Sequence, residues 1–192
     1  MTYQVTALVI LAFFYGCYFL KMLMQQRKGI RTDQIGQGKV GFVKFVEVTM
    51  KIATLLVPAA QVISILLNTT CFWAPFRICG AVIGALGATV FVTSVVTMRD
   101  SWRAGVSKTD KTELVTDGIY QISRNPAFLG FDLVYIGILL MFFNPWLLIA
   151  SVSAMLMFHL QIVNVEEDFL LETFGQEYLA YKKKVNRYIG RK

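Results

Sequence analysis

Five apolar runs, separated by short polar segments, dominate the chain. They occupy residues 3–20, 52–67, 78–98, 126–143 and 145–165. A helix needs about 20 predominantly apolar residues to cross about 30 Å of hydrocarbon. The second run is the shortest, and residues 45–50 would add the turn that it lacks. The pattern therefore predicts an all-α fold, a multi-pass bundle of five transmembrane helices followed by a C-terminal tail.

Two local patterns predict how these helices pack. Gly80, Gly84 and Ala88 are spaced four residues apart, and such a stripe of small residues lets a second helix approach closely. Asn144 and Pro145 leave room only for a tight turn between the last two runs. Because so short a connection joins antiparallel neighbours, we expect the fourth and fifth helices to form a hairpin.

The positive charges fall almost entirely on one side of the predicted membrane. Of the 19 lysines and arginines, 18 lie in residues 21–51, 99–124 and 182–192, and Arg77 is the exception. Since cytoplasmic segments of membrane proteins carry the excess of basic residues, we expect the N-terminus outside and the C-terminus in the cytoplasm. The membrane would be the inner membrane of a bacterium or the endoplasmic reticulum of a eukaryote.

The composition excludes a soluble enzyme and indicates which kind of partner the protein binds. Hydrophobic residues make up 56% of the chain and charged residues 16%, and the mean hydropathy is +0.56. The net charge is +7, and the basic residues flank the apolar runs. This placement favours a membrane surface over nucleic acid as the partner. The three cysteines lack metal-binding spacing. We divide the folded unit into residues 1–98, the first three helices, and residues 99–192, where any chemistry must lie.

Polar residues concentrate in three segments at the predicted inner ends of the helices. These segments are the loop 97–130, the end of the fifth run and the tail 174–192. The end of the fifth run carries His159, Gln161, Asn164, Glu166, Glu167 and Asp168. In the tail, Phe174, Tyr178 and Tyr181 alternate with lysines, which favours an amphipathic helix lying on the inner leaflet.

Several polar residues near or inside the membrane are candidates for chemistry. Asn125 and Pro126 are typical of a helix start, whose N–H groups can bind a ligand carboxylate. Arg124 beside them is either an interfacial anchor or part of a site. Asp132 lies about 9 Å deeper at 1.5 Å per residue, where a carboxylate is costly unless it faces a partner or a cavity. His159 is either a hydrogen-bonding residue between helices or a catalytic one.

Three sequence stretches together resemble a known enzyme family. They are LVTDGIYQISRNPAFLG (residues 114–130), NPW (144–146) and VEEDFLLETFGQEYLAYKKKVNRY (165–188). In order and spacing they are similar to the isoprenylcysteine carboxyl methyltransferase and phospholipid methyltransferase family, which are small multi-span membrane enzymes. The resemblance covers about half of the chain, residues 97–190. It implies a methyltransferase that uses S-adenosyl-L-methionine without a Rossmann domain.

The resemblance also implies where the cofactor binds. The matching cofactor positions are Leu114, Val115, Tyr120, Asn125, Pro126, Ala127, Phe128 and Glu166. Their chemistry agrees, because a helix start suits the cofactor's carboxylate and aromatic rings suit its adenine and sulfonium. An acidic side chain suits its ammonium or ribose hydroxyls. We expect Arg124 and Asp132 to be the catalytic residues.

Two departures from the family concern the methyl acceptor. Asn125 stands where the family usually has histidine, so a general base at that position is not expected. Ile162 stands where the eukaryotic carboxyl methyltransferases have an arginine near the substrate. By resemblance the acceptor is the carboxyl group of an isoprenylcysteine, a lipophilic molecule entering from the bilayer. A phospholipid amine and a small thiol are alternatives, and a membrane scaffold is the non-enzymatic one.

Overall fold

Helices make up nearly all the secondary structure in the computed structural model, which describes residues 1–30, 35, 39–103 and 113–191. The long helices are α1 (Thr2–Arg27), α2 (Gly41–Leu66), α3 (Ala74–Met98), α4 (Pro126–Met141), α5 (Pro145–Gln161) and α6 (Glu167–Lys184). A π-helical turn, Ile162–Glu166, joins α5 to α6, and 3-10 turns cover Arg99–Ser101 and Gly118–Gln121. In these ranges the strand-like pairing is one isolated bridge, Val185 to Arg191. The predicted all-α class is confirmed.

The length and hydropathy of the helices mark an integral membrane protein. Among the described residues, four helices are long and apolar enough to cross a membrane: α1, α2, α3 with its following turn, and the continuous helix Pro145–Lys184. The apolar helix α4 is shorter, with 16 residues, or about 24 Å at 1.5 Å per residue. It ends before the predicted 143 because Phe142 leaves the helical conformation. The five predicted spans are therefore four long helices and one short one.

Hydrogen bonds between helix ends show an alternating, antiparallel arrangement. At one end of the bundle, Gln4 near the start of α1 donates to the carbonyl of Ile65 near the end of α2 (2.8 Å). At the other end, Gln25 of α1 donates to the carbonyl of Trp102, just after α3 (2.9 Å). This second end also holds the starts of α2 and α4 and the end of α5, and we call it the site end.

The turn between α4 and α5 is the tight hairpin that the sequence predicts. Asn144 caps α5, because its Oδ1 accepts a hydrogen bond from the backbone N–H of Leu147 (2.9 Å), and Pro145 occupies the first helical position. The Nδ2 of Asn144 donates to the hydroxyls of Ser64 (2.7 Å) and Thr69 (3.1 Å). The same side chain therefore caps one helix and ties the hairpin to the end of α2.

Glycines bring α3 and α4 into backbone contact. A Cβ atom built at Gly80 would lie 2.5 Å from the carbonyl oxygen of Gly137, and one built at Gly137 would lie 2.5 Å from the backbone nitrogen of Gly84. Further along the interface, Gly87 meets Gly130 in the same way. The predicted small-residue stripe is confirmed, and its partner surface is the glycine pair on α4. This contact fixes the position of α4, whose first turn belongs to the candidate site.

The tail does not form the free amphipathic helix that the aromatic pattern suggested. Helix continues from α5 through the π turn into α6, past residue 165, and bends at Gly175, where φ is +51°. Such a left-handed conformation favours glycine. After the bend, Tyr178 and Tyr181 pack against Tyr120 of the inner loop, with 1% and 8% of their surface exposed. The expectation that the aromatic face of the tail lies on the inner leaflet is therefore wrong, because this face packs on protein.

Candidate active site

Backbone hydrogen bonds attach the inner loop to the tail at the site end. The carbonyl of Asn186 accepts from the backbone N–H of Arg124 (3.1 Å), and the carbonyl of Ile122 accepts from that of Gly190 (2.8 Å). The hydroxyl of Tyr181 donates to the carbonyl of Tyr120 (2.6 Å). The described part of the loop, residues 113–125, therefore lies between α3 and the tail. Residues 104–112 of the predicted polar loop lie outside the described part.

Glu167 is the buried centre of an ion-pair group that holds this arrangement, in which Arg124 is also buried and Lys182 and Arg187 are partly exposed. Its carboxylate accepts hydrogen bonds from Lys182 Nζ (2.8 Å) and Arg187 Nε (2.7 Å) and forms an ion pair with Arg124 Nη2 (3.1 Å). Burial would raise its pKa, yet the hydrogen bonds from Arg187 and Lys182 and the charge of Arg124 outweigh burial and lower the pKa to about 2. We call Glu167 with these three cations the clasp.

The guanidinium of Arg124 is fully engaged by the tail. Besides its ion pair in the clasp, Nε donates to the carbonyl of Val185 (3.1 Å) and Nη1 donates to the hydroxyl of Tyr178 (2.6 Å). Burial raises the pKa of that hydroxyl to about 12, although the neighbouring Arg124 opposes the rise. Arg124 thus lies in the docking network, and its predicted catalytic role stays a prediction.

The predicted cofactor residues of the loop surround one buried tyrosine. The hydroxyl of Tyr120 shares a hydrogen bond with that of Ser94 on α3 (2.8 Å), and burial raises its pKa. Leu114 and Val115 pack against the hydrophobic cluster that Tyr120 forms with Tyr178, Tyr181 and Val185. Tyr120 also lies close enough to Glu166 for an electrostatic interaction. The structure therefore brings four of the predicted positions together at the site end.

Helix α4 begins at the predicted residues, Asn125 and Pro126, but the side chain of Asn125 does not cap it. Asn125 precedes α4 and Pro126 is its first residue. The Nδ2 of Asn125 donates to the carbonyl of Arg187 (3.1 Å), so this side chain joins the loop to the tail. The first turn of α4 consequently keeps N–H groups that the Asn125 side chain does not cap.

An apolar cavity of about 520 Å³ lies against the first turn of α4. Aromatic side chains from α1, α3, α4 and α5 form a large part of its wall, namely Tyr15, Tyr18, Phe19, Phe91, Phe128, Phe131 and Phe158. Ala127 also lines it, as do the cations Lys51 and Arg103. Arg103 donates to the carbonyls of Asp100 and Trp102. Ala127 and Phe128, both predicted cofactor positions, are therefore shared between the helix start and the cavity.

A second polar group joins α2 to the end of α5. The Nε2 atom of Gln161 lies 3.4 Å from Oε1 of Glu47 and 3.5 Å from Oε1 of Glu166. Lys39 forms an ion pair with Glu47. Glu47 and Gln161 have no exposed surface. Sequence reasoning did not assign Glu47 to the site, because 114 residues separate it from Gln161.

The C-terminal segment supplies the neighbour that the sequence could not name for Asp132. Tyr188 shares a 2.7 Å hydrogen bond with Nδ1 of His159, and their rings stack at 6.1 Å. Burial and then the charge of Asp132 raise the pKa of Tyr188. Oδ1 of Asp132 is buried without a hydrogen-bond partner among the described residues. Tyr188 is thus hydrogen-bonded to His159 and lies near enough to Asp132 for its charge to affect the pKa of Tyr188.

Comparison with known proteins identifies relatives of this chain. The chain is 40% identical over 72 residues to protein-S-isoprenylcysteine O-methyltransferase of Saccharomyces cerevisiae, which covers 38% of this chain and 30% of that protein. It is 30% identical over 102 residues to protein-S-isoprenylcysteine O-methyltransferase B of Arabidopsis thaliana, 52% of each chain. It is 37% identical over 78 residues to the Xenopus laevis protein-S-isoprenylcysteine O-methyltransferase, 41% of this chain and 27% of that protein.

These matches span about half or less of each relative's length. A profile of the phospholipid methyltransferase family matches residues 75–177, which is more than half of the chain. The matched segment runs from α3 through the helix start of α4 and the clasp residue Glu167 to the tail. The chain therefore belongs to the phospholipid methyltransferase family.

Proposed function

We propose that the protein is an integral-membrane methyltransferase that uses S-adenosyl-L-methionine and methylates the carboxylate of a lipophilic, isoprenylcysteine-like acceptor. The observation that carries the proposal is the apolar cavity, which shares Ala127 and Phe128 with the helix start of α4. A cofactor at the helix start and an apolar chain in the cavity would then be neighbours. The names of the relatives support the acceptor class.

The residues at the site end fit this cofactor. Its carboxylate suits the uncapped N–H groups at the start of α4. Its ammonium and ribose hydroxyls suit Glu166, whose carboxylate lies beside the buried amide of Gln161. When bound, the cofactor supplies an electrophilic methyl group on a sulfonium. The chain's own residues position the two reactants and exclude water.

Two cations in the cavity wall suit an acceptor with a negative head group. Lys51 of α2 and Arg103 after α3 line the cavity with the aromatic residues. They offer charge-assisted hydrogen bonds to a carboxylate, although the family's substrate arginine is replaced by the buried Ile162. A carboxylate nucleophile is already deprotonated near neutral pH, so this reaction needs no general base.

We place the cofactor loop and the C-terminus in the cytoplasm and the N-terminus outside. The support is the charge distribution, since 18 of the 19 basic residues fall in three segments of the sequence whose described parts adjoin the site end of the bundle. A cytoplasmic site would have access to the cofactor, and an apolar acceptor would enter sideways from the bilayer.

Methyl transfer from radiolabelled cofactor to defined acceptors tests the function. The detergent-solubilised protein should methylate an S-prenylated cysteine with a free carboxyl group and not the same molecule with that group amidated. Transfer to phosphatidylethanolamine, with none to the prenylated cysteine, would replace the proposed acceptor with an amine. Transfer to none of these acceptors, from a protein that also fails to bind the cofactor, would refute the proposal.

Glu166 gives a direct test of cofactor binding. In the Glu166→Ala variant, the loss of a charge-assisted hydrogen bond of about 1.5–3 kcal/mol should weaken S-adenosyl-L-methionine binding about ten- to a hundredfold. Titration calorimetry in detergent measures this change. Asp168→Ala is the matched control, because Asp168 is exposed two residues further along the chain. Affinity within twofold of wild type would remove Glu166 from the proposed cofactor site.

A phospholipid amine is the second candidate acceptor, and one observation favours it. Oδ1 of Asp132 is buried without a described partner, and such an oxygen could accept the proton that an ammonium must lose. With an amine acceptor, Asp132→Asn should abolish turnover while cofactor binding survives. With a carboxylate acceptor, turnover should be unchanged or higher because a repelling charge is gone. Loss of both cofactor binding and turnover would place Asp132 in helix packing instead.

A further inference from the structure

A cavity of about 580 Å³ lies between the tail and the inner loop, and it shares no lining residue with the apolar cavity. Helix α6 supplies four of its lining residues, at positions i, i+3, i+4 and i+7, which form one stripe along a helix. The lining residues are Glu177, Ala180, Tyr181 and Lys184 of α6, with Val185, Arg191, Thr116 and Gln121. We call this cavity the tail groove.

Opposite charges lie at the two ends of the α6 stripe. Glu177 and Lys184 are exposed, and their spacing along the helix places them about 10 Å apart. Neither side chain has an ion pair or a hydrogen bond with another described residue. Arg191 adds a second cation at the Lys184 end, because it pairs with Val185 in an isolated β-bridge and donates to the side-chain oxygen of Gln121 (2.6 Å). The groove is therefore acidic at one end and basic at the other.

The floor of the groove is apolar and its rim is polar. Tyr181 and Val185 are buried, whereas Thr116 and Gln121 of the loop are exposed. An extended polypeptide segment suits this surface, because its backbone offers hydrogen bonds to the rim and its side chains reach the floor and the charges. Three residues of such a segment, at about 3.3 Å each, would span the two charged ends. An anionic membrane surface fits less well, since Glu177 would repel it.

The start of the inner loop connects the tail groove to the apolar cavity. The backbone N–H of Glu113 donates to the hydroxyl of Ser101 (3.4 Å). Arg103, just after Ser101, lines the apolar cavity, and Thr116, just after Glu113, lines the tail groove. An acceptor with its carboxylate beside Arg103 would therefore have its preceding residues close to the groove.

We propose that the tail groove binds the polypeptide segment that precedes the lipidated cysteine of the acceptor, with a basic side chain at Glu177 and an acidic side chain at Lys184 and Arg191. This inference rests on the proposed function. It extends the acceptor from a lipidated amino acid to a lipidated polypeptide. It also adds a selectivity for the order of charges in that segment, which the apolar cavity does not provide.

Two synthetic peptides that differ only in charge order test the inference. Each ends in the same S-prenylated cysteine with a free carboxyl group and carries one lysine and one glutamate before it, in opposite orders. In wild type, kcat/KM should be about fivefold higher for one order, because that order gains two exposed ion pairs and the other meets like charges. Each value is divided by kcat/KM for the prenylated cysteine without a peptide, so that a loss common to all acceptors cancels.

Charge reversal in the groove should change this preference. The double variant Glu177→Lys with Lys184→Glu should shift the ratio of the two kcat/KM values about fivefold toward the other order. Among single variants, Lys184→Glu should lower the ratio, whereas Lys183→Glu should keep it. Lys183 is the matched control, because it is an exposed neighbour with the same charge that does not line the groove. Higher salt should lower the wild-type ratio, since exposed ion pairs are screened.

The outcome that overturns the inference differs from one that overturns the function. If wild type methylates the prenylated cysteine and both peptides, but the charge order has no effect or the double variant keeps the wild-type preference, the inference is wrong. An equal effect of Lys183→Glu and Lys184→Glu would also refute it, because the charge would then act through the membrane surface and not in the groove. If wild type methylates no prenylated acceptor, the proposed function fails and the inference fails with it.

Discussion

Replacing Glu167 with glutamine is expected to lower the free energy of unfolding by about 3 kcal/mol, the lower end of the cost of removing one partner from a buried ion pair, because Lys182 and Arg187 are partly exposed to solvent. The variant leaves Arg124, which is 8% exposed, without its carboxylate. Lys182 and Arg187 then face each other and Arg124 without the negative charge that separates them. The loop and the tail should separate first, because the clasp joins them.

Chemical unfolding in detergent, followed by intrinsic tryptophan fluorescence, to which the buried Trp102 near the loop contributes, measures this loss. Asp168→Asn is the control, since it removes a neighbouring but exposed negative charge and should change stability by less than about 0.5 kcal/mol. A change below about 1 kcal/mol in Glu167→Gln would show that the clasp does not hold the tail.

The clasp also predicts a dependence on acid. The pKa of Glu167 falls from its ordinary 4.5 to about 2 because three cations surround it. A carboxylate with a lowered pKa in the folded state contributes stability that is fully present above the unfolded value and disappears as the pH falls through the folded one. Wild type should therefore lose stability between about pH 4.5 and 2. Glu167→Gln should show a smaller loss in that range.

Much of the fold could be predicted because the bilayer imposes length and hydropathy on each helix. The runs 78–98 and 145–165 correspond to α3 and to the continuous helix that begins at Pro145. The hairpin at Asn144 was predictable because a helix cap and a proline occur in adjacent positions. These features depend on residues close together in the chain, where spacing is informative.

The docking of the tail could not be predicted from its pattern. An amphipathic helix has the same spacing of aromatic residues whether it packs on lipid or on protein. Tyr178 and Tyr181 pack on the loop because Gly175 bends the helix and Glu167 binds Arg124. The pair of Glu167 and Arg124 joins residues 43 positions apart in the chain, so no local signal indicates it.

Only the part of the candidate site that comes from the second half of the chain was predictable. Tyr120, Phe128 and Glu166 came from the resemblance, and the structure places all three at the site end. Glu47 was missed because an acid near a membrane surface is usually solvated, and its partner Gln161 lies on another helix. The one available signal was its position in a mostly apolar helix start.

Gly137→Ala should be strongly destabilising, by about 3 kcal/mol, the upper part of the range for overpacked interiors. The new Cβ would lie 2.5 Å from the backbone nitrogen of Gly84 and 2.6 Å from the carbonyl oxygen of Gly80. Backbone atoms cannot rotate aside, so α3 and α4 must separate. The separation displaces α4, and its first turn forms part of both the proposed cofactor site and the cavity wall.

The control for this variant has the opposite expected sign. Gly16 lies within α1, and a Cβ there meets no atom within 4 Å, so Gly16→Ala gains helix propensity of up to about 1 kcal/mol without a clash. Unfolding of both variants in the same detergent compares them directly, and cofactor binding should weaken in Gly137→Ala only. If the two substitutions shift stability in the same direction, the close contact between α3 and α4 is not what positions the site.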